Sequence, residues 1–330
     1  MRAMTLRQPG EKARLYLTDV PVPALPTEHS LLVRVHACGV CHTDGHIAAG
    51  ELPAHKLPLI LGHQAAGKVH AVGAAVTRYR PGDRVGVTWL HSVCGECEYC
   101  RRQEENLCPQ AQFSGWDVDG GYAEYVVADE RCVVPLPESF TDVEAAPLLC
   151  AGIIGFRALR LGGVQPGDRV GLFGFGASAH LALQVARYWQ CGGYVFTRSR
   201  EHQTLARSLG AEWTGTPEET PPTVLDRAII FAPAGALVPL ALARVRQGGV
   251  VAINAIHMSP IPEMNYNLLY GERVLRSVAN ATVRDAQEFM QLAAQIPLRP
   301  EIQLFPLSEA QRVLELLQRS ELQGAGVLVM

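Results

Sequence analysis

A chain of 330 residues, 48% hydrophobic and 18% charged, has the composition of an ordinary globular protein and is long enough for two domains. Its net charge of −3 gives no electrostatic reason to expect nucleic acid or an anionic membrane as a partner. The sequence shows neither the apolar run of a signal peptide nor an apolar stretch of 18 residues, so we expect no membrane segment and a cytoplasmic location. Nine cysteines in such a chain indicate thiols and metal ligands rather than disulfides.

The first part of the chain predicts an irregular β domain. Short apolar runs are separated by Pro and Gly, and the three prolines of residues 21–26 exclude a helix or a central strand there. Alternation of apolar and polar residues predicts short strands. The expected strands cover residues 31–36, 67–73, 82–88 and 120–127.

Residues 39–46 and 62–64 carry the candidate chemistry of this domain. Cys41 and His63 are ligands of the kind zinc prefers, and Cys150 is the best candidate for a third. Two thiolates and one imidazole would leave a fourth position open for water or a substrate oxygen. Thr43 and His46 supply a hydroxyl and an imidazole, which are the parts of a proton relay.

A second metal site is predicted by four cysteines within fifteen residues. Such a cluster can close a tetrahedral zinc site without an open position, so its role would be structural. Few apolar residues surround it, and the metal would therefore supply much of the folding energy of the segment. The predicted ligands are Cys94, Cys97, Cys100 and Cys108.

A helix start is predicted near the end of this first part. Thr141 is a candidate N-cap, and Glu144 stands at the capping-box position three residues later. Cys150 would then lie on or just beyond a short helix, near a domain boundary.

From about residue 153 the pattern changes to strands that alternate with helices, which predicts a parallel, doubly wound sheet. The α/β fold class follows from this half. Expected strands are 169–173, 194–197, 228–231, 250–253 and 274–278, with helices to about 189, at 201–209, near 235–246 and near 283–294. The last stretch predicts one helix at about 308–318 and a terminal strand from 326.

Gly174, Gly176 and Ala179 form the phosphate-turn pattern of a dinucleotide site, because they follow a strand and open a helix. An NAD site usually has an acidic residue about twenty positions further on. Here that position is Thr197, followed by Arg198, Ser199 and Arg200. Two guanidinium groups and two hydroxyls favour a 2′-phosphate, so we predict NADP(H) over NAD(H). The alternative is that both arginines form a solvated helix entrance.

The sequence resembles the zinc-dependent medium-chain alcohol dehydrogenases over essentially all of its length. It is most similar to their bacterial branch, akin to cinnamyl-alcohol-type and propanol-preferring enzymes. The matching motifs are residues 39–44, 62–63, 119–125 and 148–152, the four-cysteine segment and the glycine turn.

The resemblance implies a GroES-like catalytic domain (1–152, with a structural zinc lobe at 90–112), a Rossmann domain (153–295) and a C-terminal return (296–330) to the catalytic domain. It implies two zinc ions per chain, one at Cys41, His63 and Cys150 and one at the four cysteines. The Cys₂His set is the known catalytic zinc set of alcohol dehydrogenases, so this is a pattern match. The implied reaction is reversible hydride transfer between NADP(H) and a primary alcohol or aldehyde.

The resemblance also assigns further residues. Thr43 would pass the substrate proton towards the ribose and His46. Asp44 would orient His63, and Trp89 and Trp116 would line the substrate cleft. His42 would approach the cofactor pyrophosphate or else be simply exposed to solvent. The remaining cysteines are interpreted as core thiols: Cys38, Cys132 and Cys191.

Two departures from the family keep alternatives open. Gln64 follows the zinc histidine where the family usually has Glu, which leaves a non-enzymatic relative with a silent centre as one alternative. Residues 324–326 offer no phosphate-binding Arg, so cofactor affinity would depend more on Arg198 and Arg200. NAD-linked oxidation of short alcohols is the other alternative. The family resemblance further implies a homodimer or homotetramer, with a small-molecule alcohol or aldehyde as the substrate.

Overall fold

The computed structural model describes residues 1–330. The strands are β1 Arg2–Leu6, β2 Leu15–Asp19, β3 Ser30–Gly39, β4 Leu59–Ile60, β5 Ala65–Val72, β6 Arg84–Val87, β7 Leu90–Ser92, β8 Gln112–Phe113, β9 Tyr125–Asp129, β10 Val133–Pro135, β11 Arg169–Phe173, β12 Gly192–Phe196, β13 Trp213–Gly215, β14 Leu225–Ile230, β15 Val245–Ile253, β16 Val274–Ser277, β17 Ile302–Pro306 and β18 Ala325–Val329. The α-helices are α1 His42–Ala49, α2 Glu98–Arg101, α3 Asp142–Ala145, α4 Ala151–Leu161, α5 Ala177–Tyr188, α6 Arg200–Ser208, α7 Leu237–Arg244, α8 Val283–Gln295 and α9 Ala310–Gln318. None of these helices is long and apolar enough to cross a bilayer.

The chain forms two compact units. The first contains residues 1–153, 281–295 and 302–330, and the second contains residues 154–280 and 296–301. The chain therefore leaves each unit and re-enters it. The functional domain boundaries expected from the sequence stay a prediction.

The first unit is built on an irregular β framework. Its largest sheet has seven strands in the order β10-β6-β5-β3-β18-β17, and β9 also pairs with β3. The long strand β3 is the centre of this sheet, because β5, β9 and β18 all pair with it antiparallel. Its buried side chains, such as Leu31, Val33 and Val35, enter one large apolar cluster.

The second unit is a single parallel sheet. Its six strands lie in the order β13-β12-β11-β14-β15-β16, and every neighbouring pair is parallel. The central strands of such a sheet are covered on both faces and are therefore largely apolar. The central strand β11 has a fully buried Leu172 and Phe173, and β14 a fully buried Ile229 and Ile230.

The α/β fold class and the coarse strand and helix pattern are confirmed. Thr141 caps α3, since its hydroxyl accepts from the Glu144 amide and the Glu144 carboxylate bonds back. The strand expected at 120–127 is wrong at its start, because β9 begins at Tyr125. The sequence analysis missed β13 and β17, and β15 begins at Val245 rather than at 250.

Candidate metal centre and nucleotide turn

The candidate ligand Cys41 is the N-cap of helix α1. Cys41 has an extended backbone, and its amide donates to the Asp44 carboxylate at 3.0 Å, which ends the strand and starts the helix. The same carboxylate accepts from the Gly62 amide at 3.1 Å and from the Tyr122 hydroxyl at 2.8 Å. Asp44 is completely buried. It therefore joins the two segments that carry Cys41 and His63.

The turn at Gly62 has no room for a side chain. Gly62 has φ +95°, and a Cβ there would lie 2.3 Å from the Tyr122 ring. Tyr122 itself has no exposed surface. Burial, followed by the neighbouring Asp44 charge, raises the pKa of Tyr122 well above its usual range. The phenol is thus a permanent hydrogen-bond donor to Asp44.

Cys41, His63 and Cys150 come together although they are distant in sequence. One ligand atom from each lies within 4.8 Å of those of the other two. Cys150 reaches the group because a 3₁₀ turn at Ala146–Leu149 ends just before it and α4 begins just after it. The prediction that Cys150 lies on or beyond a short helix is confirmed.

The donor set fits a zinc ion. His63 is 1% exposed, and neither ring nitrogen has an aligned hydrogen-bond partner, although Nδ1 lies 3.2 Å from Asp44 Oδ1. A buried polar atom without a hydrogen-bond partner destabilises the folded protein, so a bound metal ion at His63 would be favourable. Two sulfur ligands and one imidazole are the donors that zinc prefers.

Without metal the three groups perturb one another strongly. The Cys150 side chain, together with His63, holds the pKa of Cys41 well below its usual range despite burial. The same contact with Cys41, and burial, raise the pKa of Cys150 well above its usual range. Burial opposes the charge on His63, but the Asp44 carboxylate and Cys41 raise its pKa to about 10.

The predicted relay residues lie on α1. Thr43 is buried, with its hydroxyl oxygen 3.6 Å from Cys41 Sγ. His46 is three residues further on, so it lies on the same face of the helix. His42 is exposed at the start of α1, and its approach to the cofactor stays a prediction.

An aromatic stack adjoins His63. The Trp89 ring stands edge-on to the His63 imidazole at 4.8 Å between centroids. Trp89 in turn stacks on Phe113 at 5.1 Å and on Trp116 at 5.7 Å. Sequence reasoning named the two tryptophans but missed Phe113, whose spacing carries no signal.

Gln64, the departure beside His63, is also buried. A side chain on Gly39 would lie 2.9 Å from the Gln64 carboxamide oxygen, and the Gly39 amide donates to the Gln64 carbonyl at 3.0 Å. The carboxamide thus packs against the end of β3.

The four predicted cysteines of the second cluster also come together. Cys94 Sγ lies 3.8 Å from that of Cys100 and 3.6 Å from that of Cys108, and the Cys97–Cys100 separation is 3.5 Å. Zinc–sulfur bonds of about 2.3 Å in a tetrahedron separate the sulfurs by roughly 3.8 Å, so the cluster fits zinc. The amides of Glu96 and Cys97 point at Cys94 Sγ and lower its pKa to about 6.

The glycine turn has the geometry of a phosphate site. Gly174 has φ +93°, and a Cβ would lie 2.8 Å from the Ala232 amide, so only glycine fits. A Cβ on Gly176 would meet nothing within 4 Å, which leaves open space where α5 begins. Ala179 is completely buried in the helix packing. The exposed amides of this helix start can bind an anion.

The predicted 2′-phosphate cluster contains a carboxylate that sequence reasoning overlooked. Thr197 is buried, Arg198 and Arg200 are exposed, and Ser199 caps α6 by accepting from the His202 amide. The Ser199 hydroxyl also donates to the Glu201 carboxylate at 2.8 Å. A carboxylate, that of Glu201, therefore directly follows the two arginines. The position at which NAD-binding proteins usually have an acidic residue is occupied by Thr197.

Known proteins resemble this chain over most or all of its length. Residues 27–138 match the alcohol dehydrogenase GroES-like domain. A probable alcohol dehydrogenase AdhA of Mycobacterium tuberculosis is 45% identical over 100% of this chain and 97% of its own length. An alcohol dehydrogenase of Geobacillus stearothermophilus is 37% identical over 96% of each chain.

A solved structure shows the same fold. The alcohol dehydrogenase of the hyperthermophilic archaeon Aeropyrum pernix aligns with a TM-score of 0.91 at 28% identity and covers 100% of both chains. The protein is thus an oxidoreductase with a GroES-like domain and a nucleotide-binding sheet. More closely, the chain belongs to the zinc-type alcohol dehydrogenase family. The predicted enzyme class and fold are confirmed.

Proposed function

We propose that this alcohol dehydrogenase interconverts primary alcohols and aldehydes with NADP(H) in preference to NAD(H), using one catalytic and one structural zinc ion. The observation that carries the proposal is the convergence of Cys41, His63 and Cys150, in which the buried imidazole has no aligned hydrogen-bond partner at either nitrogen. Bound zinc would act as a Lewis acid on the substrate oxygen, and the bound nicotinamide would exchange the hydride.

The residues of the chain would divide the remaining work. Asp44 fixes the loop that carries His63, and Tyr122 holds Asp44 in turn. Thr43 lies beside Cys41, so its hydroxyl can take the substrate proton and pass it towards His46. The stack of Trp89, Phe113 and Trp116 would exclude water and offer an apolar wall to the substrate.

The charged side chains at the start of α6 support the preference for NADP(H). Arg198 and Arg200 are exposed at the start of α6. Guanidinium groups at a helix start are well suited to a phosphate. Glu201 opposes this, because a carboxylate beside a 2′-phosphate is repulsive.

Initial rates test the proposal directly. Oxidation of NADPH and of NADH should be followed with benzaldehyde, cinnamaldehyde and butanal on freshly purified protein. We expect clear turnover with NADPH and at least tenfold less with NADH, a difference of about 1.4 kcal/mol. A tenfold preference for NADH would overturn the cofactor proposal and leave the enzyme class intact.

Two variants locate the preference. Arg198→Ala should raise the KM for NADPH much more than that for NADH. Glu201→Gln should lower the KM for NADPH by removing the repulsive charge while the cap of α6 at Ser199 stays in place. Equal effects on both cofactors would place the preference elsewhere.

The second unit offers a surface for a homodimer or homotetramer. Strand β16 is the edge of its sheet, with Val274 46% exposed. Large apolar side chains nearby are also exposed, among them Ile256, Ile261, Tyr266 and Tyr270. An open apolar edge favours pairing with a second chain. Light scattering should give at least a dimer, and Val274→Lys should shift it towards the monomer.

A further inference from the structure

The end of helix α1 holds a carboxylate against the predicted relay histidine. His46 Nδ1 contacts the Glu51 carboxylate at hydrogen-bond distance. The His46 side chain is 16% exposed and that of Glu51 48% exposed, so the contact lies at the edge of the unit. The relay assigned to Thr43 and His46 does not use this carboxylate.

The backbone fixes this contact. Gly50 follows α1 with φ +78°, a left-handed conformation that turns the chain back on the helix. The amides of Glu51 and Leu52 then donate to the His46 carbonyl at 3.0 and 3.1 Å. Glu51 is therefore anchored to the backbone of the very residue that its side chain contacts.

A carboxylate at one ring nitrogen selects the tautomer of a neutral imidazole. An ionised carboxylate only accepts hydrogen bonds, so Nδ1 must carry the proton. The lone pair of the ring is then on Nε2, which becomes a proton acceptor. The carboxylate stays in contact with Nδ1–H when Nε2 takes a proton.

We propose that Glu51 is a positioning residue for His46: it keeps the proton on Nδ1, so that Nε2 accepts the substrate proton delivered through Thr43. The proposal rests on the relay role of His46 proposed above. In alcohol oxidation the substrate hydroxyl would give its proton to Thr43 as Thr43 passes its own proton on towards Nε2, and the protonated ring would face Glu51. Aldehyde reduction runs the same transfers backwards.

The test is a double-mutant cycle on the single-turnover rate of alcohol oxidation by the zinc-loaded enzyme. Glu51→Gln should slow this rate by about tenfold, as the loss of part of a general-base contribution. Glu51→Asp, or added acetate with Glu51→Ala, should restore much of it. Glu138→Gln, at an exposed glutamate far from α1 in the sequence, is the matched control and should change nothing.

The cycle separates this proposal from the relay itself. In a His46→Ala background, Glu51→Gln should cost less than about twofold, because the group that it positions is gone. An equal loss in both backgrounds would show a merely structural role and overturn the proposal. A slow His46→Ala enzyme with a normal Glu51→Gln enzyme would overturn it and leave the relay standing. A normal rate for His46→Ala would overturn both.

Discussion

Two buried histidines of this protein have opposite environments. His63, in the first unit, lies beside Asp44 and Cys41, and these neighbours raise its pKa to about 10 although burial opposes the charge. His180, in the second unit, is equally buried, and there burial lowers its pKa to about 4. Burial is common to both, so the partners decide the chemistry.

The hydrogen bonds explain the difference. His180 Nδ1 donates to the Gly176 carbonyl at 3.3 Å, and Nε2 accepts from the Glu301 amide at 3.2 Å. A neutral ring is thereby fully satisfied, and it needs no further ligand. The ring nitrogens of His63 lack such partners. One imidazole is a structural link, and the other is arranged for a metal.

The largest expected effect is the loss of His63 itself. His63→Ala should lower alcohol oxidation by about a thousandfold, because Lewis-acid catalysis is worth several kcal/mol. The variant should keep only the zinc ion of the four-cysteine cluster. His70→Ala, at an exposed histidine, is the control. Activity of His63→Ala above one-tenth of the parent would contradict the metal-binding role of His63.

Loss of a ligand from the four-cysteine cluster should lower the stability of the protein rather than its catalytic rate. Helix α2 has no buried residue, so the segment has little apolar packing of its own. Cys100→Ser should therefore lose one zinc ion, lower Tm by at least about 5 °C and expose residues 94–108 to proteases. The measurement is a thermal scan beside a protease digest. An unchanged Tm would mean that the segment folds without metal.

Asp44→Asn tests the support of His63. The amide cannot accept from all three donors, the Cys41 and Gly62 amides and the Tyr122 hydroxyl. We expect a loss of about 2–3 kcal/mol in the free energy of unfolding and of about 10- to 100-fold in zinc affinity. Tyr122→Phe removes one donor only and should cost less. Chelator competition measures the affinity, and equal zinc affinity for parent and Asp44→Asn would contradict this role.

The last prediction concerns the pH dependence of stability that His180 causes. Its folded pKa of about 4 lies below the ordinary value of 6.5, so protons bind the unfolded chain more readily. The stabilisation is complete above pH 6.5 and is lost as pH falls towards 4, by up to about 3 kcal/mol. His180→Asn removes the titration and should flatten the pH dependence of the unfolding free energy between these values. Identical slopes for parent and variant would refute this.

Local features could be predicted from the sequence, and long-range ones could not. Cys94 to Cys108 lie within fifteen residues, and Gly174 to Ala179 follow a strand directly, so spacing alone indicates both sites. The contact of Tyr122 with Asp44 spans 78 positions, and nothing in either residue announces the other. Short strands such as β13 have too few residues for a recognisable alternation.

Polar contacts of side chains are the other features that could not be predicted from the sequence. Gln184 connects α5 to residues 299–301 by two hydrogen bonds. Its carboxamide accepts from the Arg299 amide and donates to the Arg299 carbonyl. Glu201 lies four residues after Thr197, the position at which the NAD-site pattern expects an acidic residue, so the pattern does not indicate it. Both contacts depend on how the chain turns at a helix end, which composition and spacing do not define.

Zinc content per chain tests the central claim most directly. It should be measured by elemental analysis on the freshly purified enzyme and on Cys150→Ser. Two zinc ions per chain in the parent and one in the inactive variant would support a metal centre at Cys41, His63 and Cys150. A fully active parent with one zinc ion per chain, or a variant that keeps both, would contradict it.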